Sequence, residues 1–143
     1  MSGNVSTPRD DRRDVVIVGV DEQTQQDLRM RWPFPRLQQA KVIRALADAG
    51  ATVIAYDIQL AVTTTDAGDQ AMYAALDEAH RVVLATTDYS KDQGPGLVFF
   101  PEDLAAAGVR VDHAAFPDTP DNVFRRVPLG VDGLPSFAAV AAG

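Results

Sequence analysis

Short β-branched runs alternate with stretches of helical periodicity along most of the chain. The run over 15–20 is continuously apolar, which is typical of a strand buried on both faces of a parallel sheet, and a second β-branched run covers 51–56. Between them, apolar residues over 37–49 recur at spacings of three and four, which predicts an amphipathic helix that stops at Gly50. Strand, helix and strand in this order predict a βαβ unit with a right-handed crossover.

The same alternation continues towards the C-terminus. It predicts a helix over 69–79 with Asp69 as its N-cap, a strand over 81–86, a short helix over 101–107 and a strand over 109–116. A turn over 117–122, a strand over 123–129, a turn over 130–133 and an Ala-rich helix from 135 onwards complete the pattern. The predicted fold class is α/β with three layers, namely a mainly parallel central sheet, flanking helices and a C-terminal antiparallel edge.

The domain organisation follows from where this pattern begins. Residues 1–14 are polar and charged and have no apolar period, so we expect a disordered lead or a remnant of cloning. Residues 15–143 are predicted to form a single domain, which is an ordinary length for one core. No apolar run approaches the ~18 residues of a membrane-spanning helix.

Composition then narrows the classes of function. The chain has 13 Lys and Arg against 20 Asp and Glu, a net charge of −7, which argues against binding to nucleic acid or to anionic membranes. It has no Cys, which excludes disulfides, a thiolate nucleophile and a thiolate zinc site. His80 and His113 lack metal-binding or catalytic spacing, and no phosphate-binding glycine loop accompanies them. No cofactor and no catalytic residue are predicted.

Two carboxylates follow predicted parallel strands directly. Asp21 comes after the run over 15–20, and Asp57 comes after the run over 51–56. The carboxyl ends of parallel strands form the edge where α/β domains bind ligands. Such a pair would suit Mg²⁺ or Ca²⁺, or general acid–base chemistry, so metal binding is left undecided. The favoured alternative is that each Asp caps a loop or pairs with an arginine.

An aromatic and two cationic side chains complete the candidate ligand site. Trp32 and Arg36 flank a Pro-Phe-Pro segment, where Trp32 is either a wall for a ring-bearing ligand or a plug over the sheet edge. Arg125 and Arg126 point to opposite sides of a predicted strand, so at most one reaches a given site. The candidate ligand-binding residues are Asp21, Trp32, Arg36, Asp57 and Arg125.

The order of these motifs resembles the type-two CHASE domain family over nearly all of residues 15–142. The most specific pieces are Trp-Pro-Phe-Pro-Arg at 32–36 and Asp-Asn-Val-Phe-Arg-Arg at 121–126. The resemblance implies an extracytoplasmic sensor domain of a bacterial transmembrane receptor, on the periplasmic or extracellular face of the cell membrane. It implies a sensing module and not an enzyme.

The resemblance also implies partners. The parent receptor would carry flanking membrane helices that are absent from this chain, together with a cytoplasmic adenylate, guanylate or diguanylate cyclase or a protein kinase. A homodimer is expected because such outputs commonly work in pairs. The stimulus, whether a small molecule or a physical signal, stays unknown.

Two other hypotheses remain open. One is a small metal-dependent α/β enzyme or phosphate-binding domain that uses Asp21 and Asp57. The other is a structural spacer that holds partners or membrane helices in register and binds no small molecule.

Overall fold

The computed structural model describes residues 15–90, 94–114, 129–131 and 133–142. The chain divides into two compact units, one ending at Pro33 and one beginning at Phe34. The described helices are α1 (Glu22–Leu28), α2 (Arg36–Asp48), α3 (Asp66–Ala79), α4 (Pro101–Ala106) and α5 (Phe137–Ala141). The described strands are β1 (Ile54–Tyr56), β2 (Val82–Thr86), β3 (Tyr89–Ser90), β4 (Gly94–Pro95), β5 (Arg110–His113), β6 (Gly130–Val131) and β7 (Leu134–Pro135).

The first unit corrects one prediction. The run over 15–20 was predicted to be a buried strand, but it has no strand pairing among the described residues. Its large apolar side chains are exposed, from 46% at Val20 to 89% at Ile17. β-Branched residues favour extended backbone, but a strand also needs a hydrogen-bonding neighbour, which the local sequence does not specify. The polar stretch that follows forms α1.

The second unit contains a three-stranded sheet in the order β1-β2-β5, and both strand pairs are parallel. Each parallel pair is connected through a helix, α3 between β1 and β2 and α4 between β2 and β5. The βαβ unit predicted from the run over 15–20, helix 37–49 and the run over 51–56 is not observed. The observed βαβ units are β1–α3–β2 and β2–α4–β5. The predicted α/β class with a mainly parallel sheet is confirmed.

Two helices pack together beside the sheet. Helices α2 and α3 contact each other closely, and α2 also contacts β1. The N-cap of helix α3 lies four residues earlier than predicted, at Thr65 and not at Asp69, and the Thr65 hydroxyl accepts a hydrogen bond from Gly68 N at 3.1 Å. Asp69 lies in the first turn, where a carboxylate favours the helix N-terminus. Helix α2 covers 36–48 against a prediction of 37–49, which confirms the periodicity.

Different helices pack on the two faces of the sheet. On one face, strand residues pack with side chains of α2, α3 and α4 into the main core, whose largest members include Ile43, Tyr56, Met72, Leu76, Leu84 and Leu104. On the other face, Val83 and Ala85 are also buried, and α5 contacts all three strands there. Burial on both faces explains why four consecutive positions of β2, 82–85, are apolar.

The remaining strands form two short antiparallel pairs. β3 pairs with β4, and β6 pairs with β7, which confirms a C-terminal antiparallel element. A parallel bridge between His113 and Ser136 connects the end of β5 to the residue before α5. The predicted lead over 1–14, the turn over 117–122 and all but the last residue of the strand over 123–129 lie outside the described residues. The prediction of a single domain over 15–143 stays a prediction.

Candidate functional site

The five candidate residues belong to different parts of the described structure. Asp21 and Trp32 are in the first unit, Arg36 and Asp57 are in the second, and Arg125 lies outside the described residues. Their ligand-binding role stays a prediction. The structure describes the surroundings of the other four. Some of these side chains bind protein atoms and support the fold, and others face solvent.

Asp21 is the N-cap of α1. Its carboxylate accepts hydrogen bonds from Thr24 N at 2.9 Å and from the Thr24 hydroxyl at 2.8 Å. Asp21 N in turn donates to that hydroxyl at 3.3 Å, which completes a capping box. The hydrogen bonds from Thr24 lower the pKa of Asp21 below its usual value. Of the two roles considered for Asp21, a ligand contact or a cap, the structure shows the cap.

Trp32 is half-exposed within the first unit. Its backbone N–H donates to Gln25 Oε1 at 3.3 Å, which connects the segment after α1 back to the helix. The peptide bond that follows, between Trp32 and Pro33, is cis. Because Trp32 is 47% exposed, its indole has surface available for contact with a partner or a ring-bearing ligand.

Arg36 is at the centre of a buried polar network in the second unit. Its side chain is 6% exposed, and Nε forms an ion pair with Asp69 Oδ1 at 3.3 Å. Nη2 donates to the Val62 carbonyl at 2.7 Å, and Nη1 donates to Gln39 Oε1 at 3.4 Å. All three guanidinium nitrogens thus bind protein atoms, and the side chain joins α2 to α3 and to the loop after β1.

Asp69 is the anionic partner in this network. Burial would raise its pKa, but Thr64 donates from its backbone N at 2.9 Å and from its hydroxyl at 2.8 Å, and Arg36 adds a positive charge. The net effect lowers the pKa of Asp69. A Cβ on Gly68 would lie 2.9 Å from Thr65 Oγ1 and 3.1 Å from Arg36 Cβ, so the absence of a side chain there permits the close approach.

Tyr56 and Gln39 extend the network to the end of β1. The Tyr56 hydroxyl donates to Gln39 Oε1 at 2.7 Å, and Gln39 Nε2 donates to the Phe34 carbonyl at 2.7 Å. Both side chains are buried. Burial raises the pKa of Tyr56 to about 12, although the Arg36 charge acts in the opposite direction. The hydroxyl thus stays protonated and fixes the amide orientation of Gln39.

This network gives a pH prediction for Tyr56. Its pKa is 10.0 in the unfolded chain and about 12 in the fold, so the stabilisation is complete below pH 10 and is lost as pH rises through 12. Tyr56→Phe is expected to remove the most alkaline step of the tyrosinate absorbance, recorded after a rapid pH jump, and to cost about 1 kcal/mol at neutral pH. Tyr73→Phe is the control and should retain that step; persistence of the step in Tyr56→Phe would contradict the assignment.

Asp57 is exposed at the carboxyl end of β1. It makes no hydrogen bond or ion pair with the described residues. The neighbouring strand end lies at the same edge because β1 and β2 are parallel, and there the Thr87 hydroxyl donates to Gln59 Oε1 at 3.2 Å. The Thr86 hydroxyl donates to the Asp88 carbonyl at 2.8 Å. This carboxyl edge, formed by Asp57, Gln59, Thr87 and Asp88, is a solvent-facing polar surface, and it begins directly after Tyr56 of the network.

Sequence reasoning did not find Gln39 or Asp112, and it gave Asp69 a capping role instead of its ion pair with Arg36. Asp69 contacts Arg36 only because α2 and α3 pack side by side, and this contact has no signature in local sequence. Asp112 is buried on β5, between Val111 and His113. Its place inside the predicted strand over 109–116 was the available signal for it, since buried carboxylates require a partner or a raised pKa.

The hypothesis of a metal site finds no cluster to support it in the described ranges. No group of three or more His, Asp or Glu side chains there could hold a metal ion. Asp21 and Asp57 belong to separate units, and Asp21 is occupied as a helix cap. A search of the same residues for a helix long and apolar enough to cross a bilayer also found none.

Comparison with known protein families identifies the class. A family model described as the CHASE2 domain matches residues 2–143, almost the whole chain. CHASE2 domains are extracellular sensory modules. The chain belongs to this family, which confirms the resemblance seen in its sequence. Searches of curated proteins and of solved structures gave no match.

Proposed function

We propose that this chain is the sensory domain of a bacterial transmembrane receptor, that it lies outside the cytoplasm, and that it relays a stimulus to a cytoplasmic cyclase or protein kinase. The observation that supports this proposal is the CHASE2 match over residues 2–143. An extracellular sensory module influences a cytoplasmic output only through the membrane, so the relay requires spanning segments elsewhere in the parent protein.

The geometry of the second unit supports a sensing role at the carboxyl edge. In parallel α/β sheets ligands bind beyond the carboxyl ends of the strands, and Asp57 and Thr87 are exposed there. In the loop that follows β1 and Asp57, the Val62 carbonyl accepts a hydrogen bond from Arg36, which also binds the Asp69 carboxylate. We propose Asp57 as a direct ligand contact and Arg36 as the residue that positions the loop. A ligand shifts the receptor only by binding one of its states more tightly than the other.

Location is tested with single cysteines, because the chain has none of its own. In the parent receptor expressed in cells, Leu37→Cys on the exposed surface of α2 is expected to react with a membrane-impermeant maleimide equally well before and after permeabilisation. Ala40→Cys, on the buried side of the same helix, is the matched control and should stay unlabelled. Labelled peptides are identified by mass spectrometry. Labelling of Leu37→Cys only after permeabilisation would overturn the extracytoplasmic assignment.

The relay and the proposed homodimer have their own measurements. The parent receptor should contain flanking membrane helices and a cyclase or kinase domain, and its cyclic-nucleotide or phosphoryl output should change when the domain is deleted in frame. Light scattering coupled to size exclusion is expected to give a dimer for the receptor in detergent. An exclusively monomeric receptor would contradict signalling through repacking of a dimer.

A further inference from the structure

Asp112 is a buried carboxylate whose hydrogen-bonding capacity is unfilled. The residue is 1% exposed, and Oδ2 has no hydrogen-bond partner. Arg110 Nε lies 3.6 Å from Oδ2, beyond hydrogen-bond distance, and the Arg110 side chain is 58% exposed. An ionised carboxylate in this position is compensated only in part, because a solvated arginine at this separation gives little attraction.

The strand register shows which face Asp112 occupies. Asp112 aligns with Ala85 of β2, while Leu84 and Val111 on the alternate positions face the main core. Asp112 therefore shares the second face with Val83 and Ala85, the face that α5 covers. Of α5, Phe137, Val140 and Ala141 are half-buried, at the spacing of one helical stripe.

Few charges surround this carboxylate among the residues that the structure describes. Helix α5 and strands β2 and β7 contain no ionisable side chain among their described residues. On β5 itself, Arg110 shares the face of Asp112, whereas His113 is the next residue and points to the opposite side. The balance between protonated and ionised Asp112 thus depends on burial and on Arg110. Burial raises the pKa of Asp112, and the Arg110 charge opposes this effect only partly.

We propose that Asp112 controls the docking of α5 on the sheet: the protonated acid permits close packing, and the ionised acid loosens the helix so that water reaches the carboxylate. Helix α5, and not the sheet, moves because α5 is only five residues long, whereas hydrogen bonds between β2 and β5 hold these strands together. This inference concerns the chain itself and does not depend on the proposed receptor function.

The direction of the pH effect follows from linkage. The unfolded aspartate has its ordinary pKa of 3.8, and the folded pKa is higher, so the folded state binds more protons between the two values. The stabilisation is complete below pH 3.8 and is lost as pH rises through the folded pKa. Raising the pH therefore loosens α5, and acidification tightens it.

The test is a pH titration of the full 143-residue chain by NMR. The Asp112 ¹³Cγ resonance is expected to titrate above the ordinary aspartate range, and the amide signals of Phe137, Val140 and Ala142 should follow with the same midpoint. Hydrogen exchange at Val140 and Ala142, whose N–H groups bond to Ser136 O and Ala138 O, should be several-fold faster in wild type than in Asp112→Asn above that midpoint, and equal below it. Comparison at equal pH cancels the intrinsic pH dependence of exchange.

Three variants sharpen the outcome. Asp112→Asn should abolish the α5 titration and raise the melting temperature at neutral pH by about 2–5 °C. Arg110→Gln should move the midpoint upwards, because it removes the cation that favours ionisation. Asp77→Asn, the same chemical change on the exposed surface of α3, should leave the α5 signals unchanged.

The proposal is overturned if the Asp112 resonance titrates at or below the ordinary aspartate range, or if the α5 signals do not follow it. A midpoint that falls or stays constant in Arg110→Gln would also overturn it. The wild-type titration needs no substitution, so it decides the matter even if Asp112→Asn does not fold.

Discussion

Replacing Arg36 with methionine is expected to lower the free energy of unfolding by about 3 kcal/mol. Methionine keeps much of the apolar stem but removes the cation, so Asp69 loses its ion pair and the Val62 carbonyl loses its donor at 2.7 Å. A part-buried charge without its partner is costly because the protein interior solvates it poorly. The measurement is the denaturant midpoint and slope at neutral pH, analysed as a two-state transition.

Arg44→Met is the matched control on the same helix. Arg44 also joins α2 to α3, through Glu78 Oε2 at 2.6 Å, but both side chains are exposed. Exposed ion pairs contribute little because water screens them. We therefore expect a much smaller change for Arg44→Met, although both variants remove one arginine and one interhelical ion pair.

The double variant Arg36→Met/Asp69→Asn separates charge from packing. Asp69→Asn replaces the carboxylate that has lost its cationic partner with a neutral amide. This change should restore a substantial part of the stability lost in Arg36→Met. If Arg36→Met changes stability no more than Arg44→Met does, the buried network does not support the fold, and Arg36 becomes available as a direct ligand contact.

The helices and the central strands were predictable because each has a strong local signal. The apolar stripe over 37–49 specifies α2 to within one residue at either end. The sequence predicts a strand over 81–86, and the structure has β2 over 82–86 with all five positions buried. For α2 the period of the apolar residues matches the geometry of the helix, so the local sequence is sufficient. For β2 the apolar run indicates a strand but does not specify its neighbours.

The run over 15–20 shows where a local signal is insufficient. Its composition resembles that of β2, yet β2 pairs with two neighbours whereas 15–20 has no pairing among the described residues. Strand formation depends on a neighbouring strand that lies far away in sequence. β-Branched residues favour extended backbone, but they do not determine which segment becomes that neighbour.

The polar site depended even more on tertiary packing. Asp69 was predicted to be an N-cap because an Asp before a helical stripe is a typical cap. Thr65 takes that position, and Asp69 binds Thr64 and Arg36 instead. Arg36 was recognised as important for its position beside two prolines, but its partners become visible only when α2 and α3 lie side by side.

Leu84→Ala is expected to have the largest effect on stability, a loss of about 3–4 kcal/mol. Leu84 is fully buried on the central strand, and its aligned neighbours are Tyr56 on β1 and Val111 on β5. Strands on both sides and helices α2 and α3 above hold the surrounding atoms in place, so the space left by the missing side chain cannot close. The free energy of unfolding in denaturant measures the loss.

The control for this core substitution is Leu37→Ala. Leu37 is 49% exposed on α2, and alanine is at least as good a helix former, so the change should stay within about 0.5 kcal/mol. Leu84→Ala should also loosen the ring of Tyr56 and bring its alkaline titration down from about 12 towards 10.0, because water then reaches the hydroxyl. A loss of less than 1 kcal/mol for Leu84→Ala would mean that the sheet relaxes around the gap and that the Arg36 network, with Gln39 and Tyr56, is independent of the core below it.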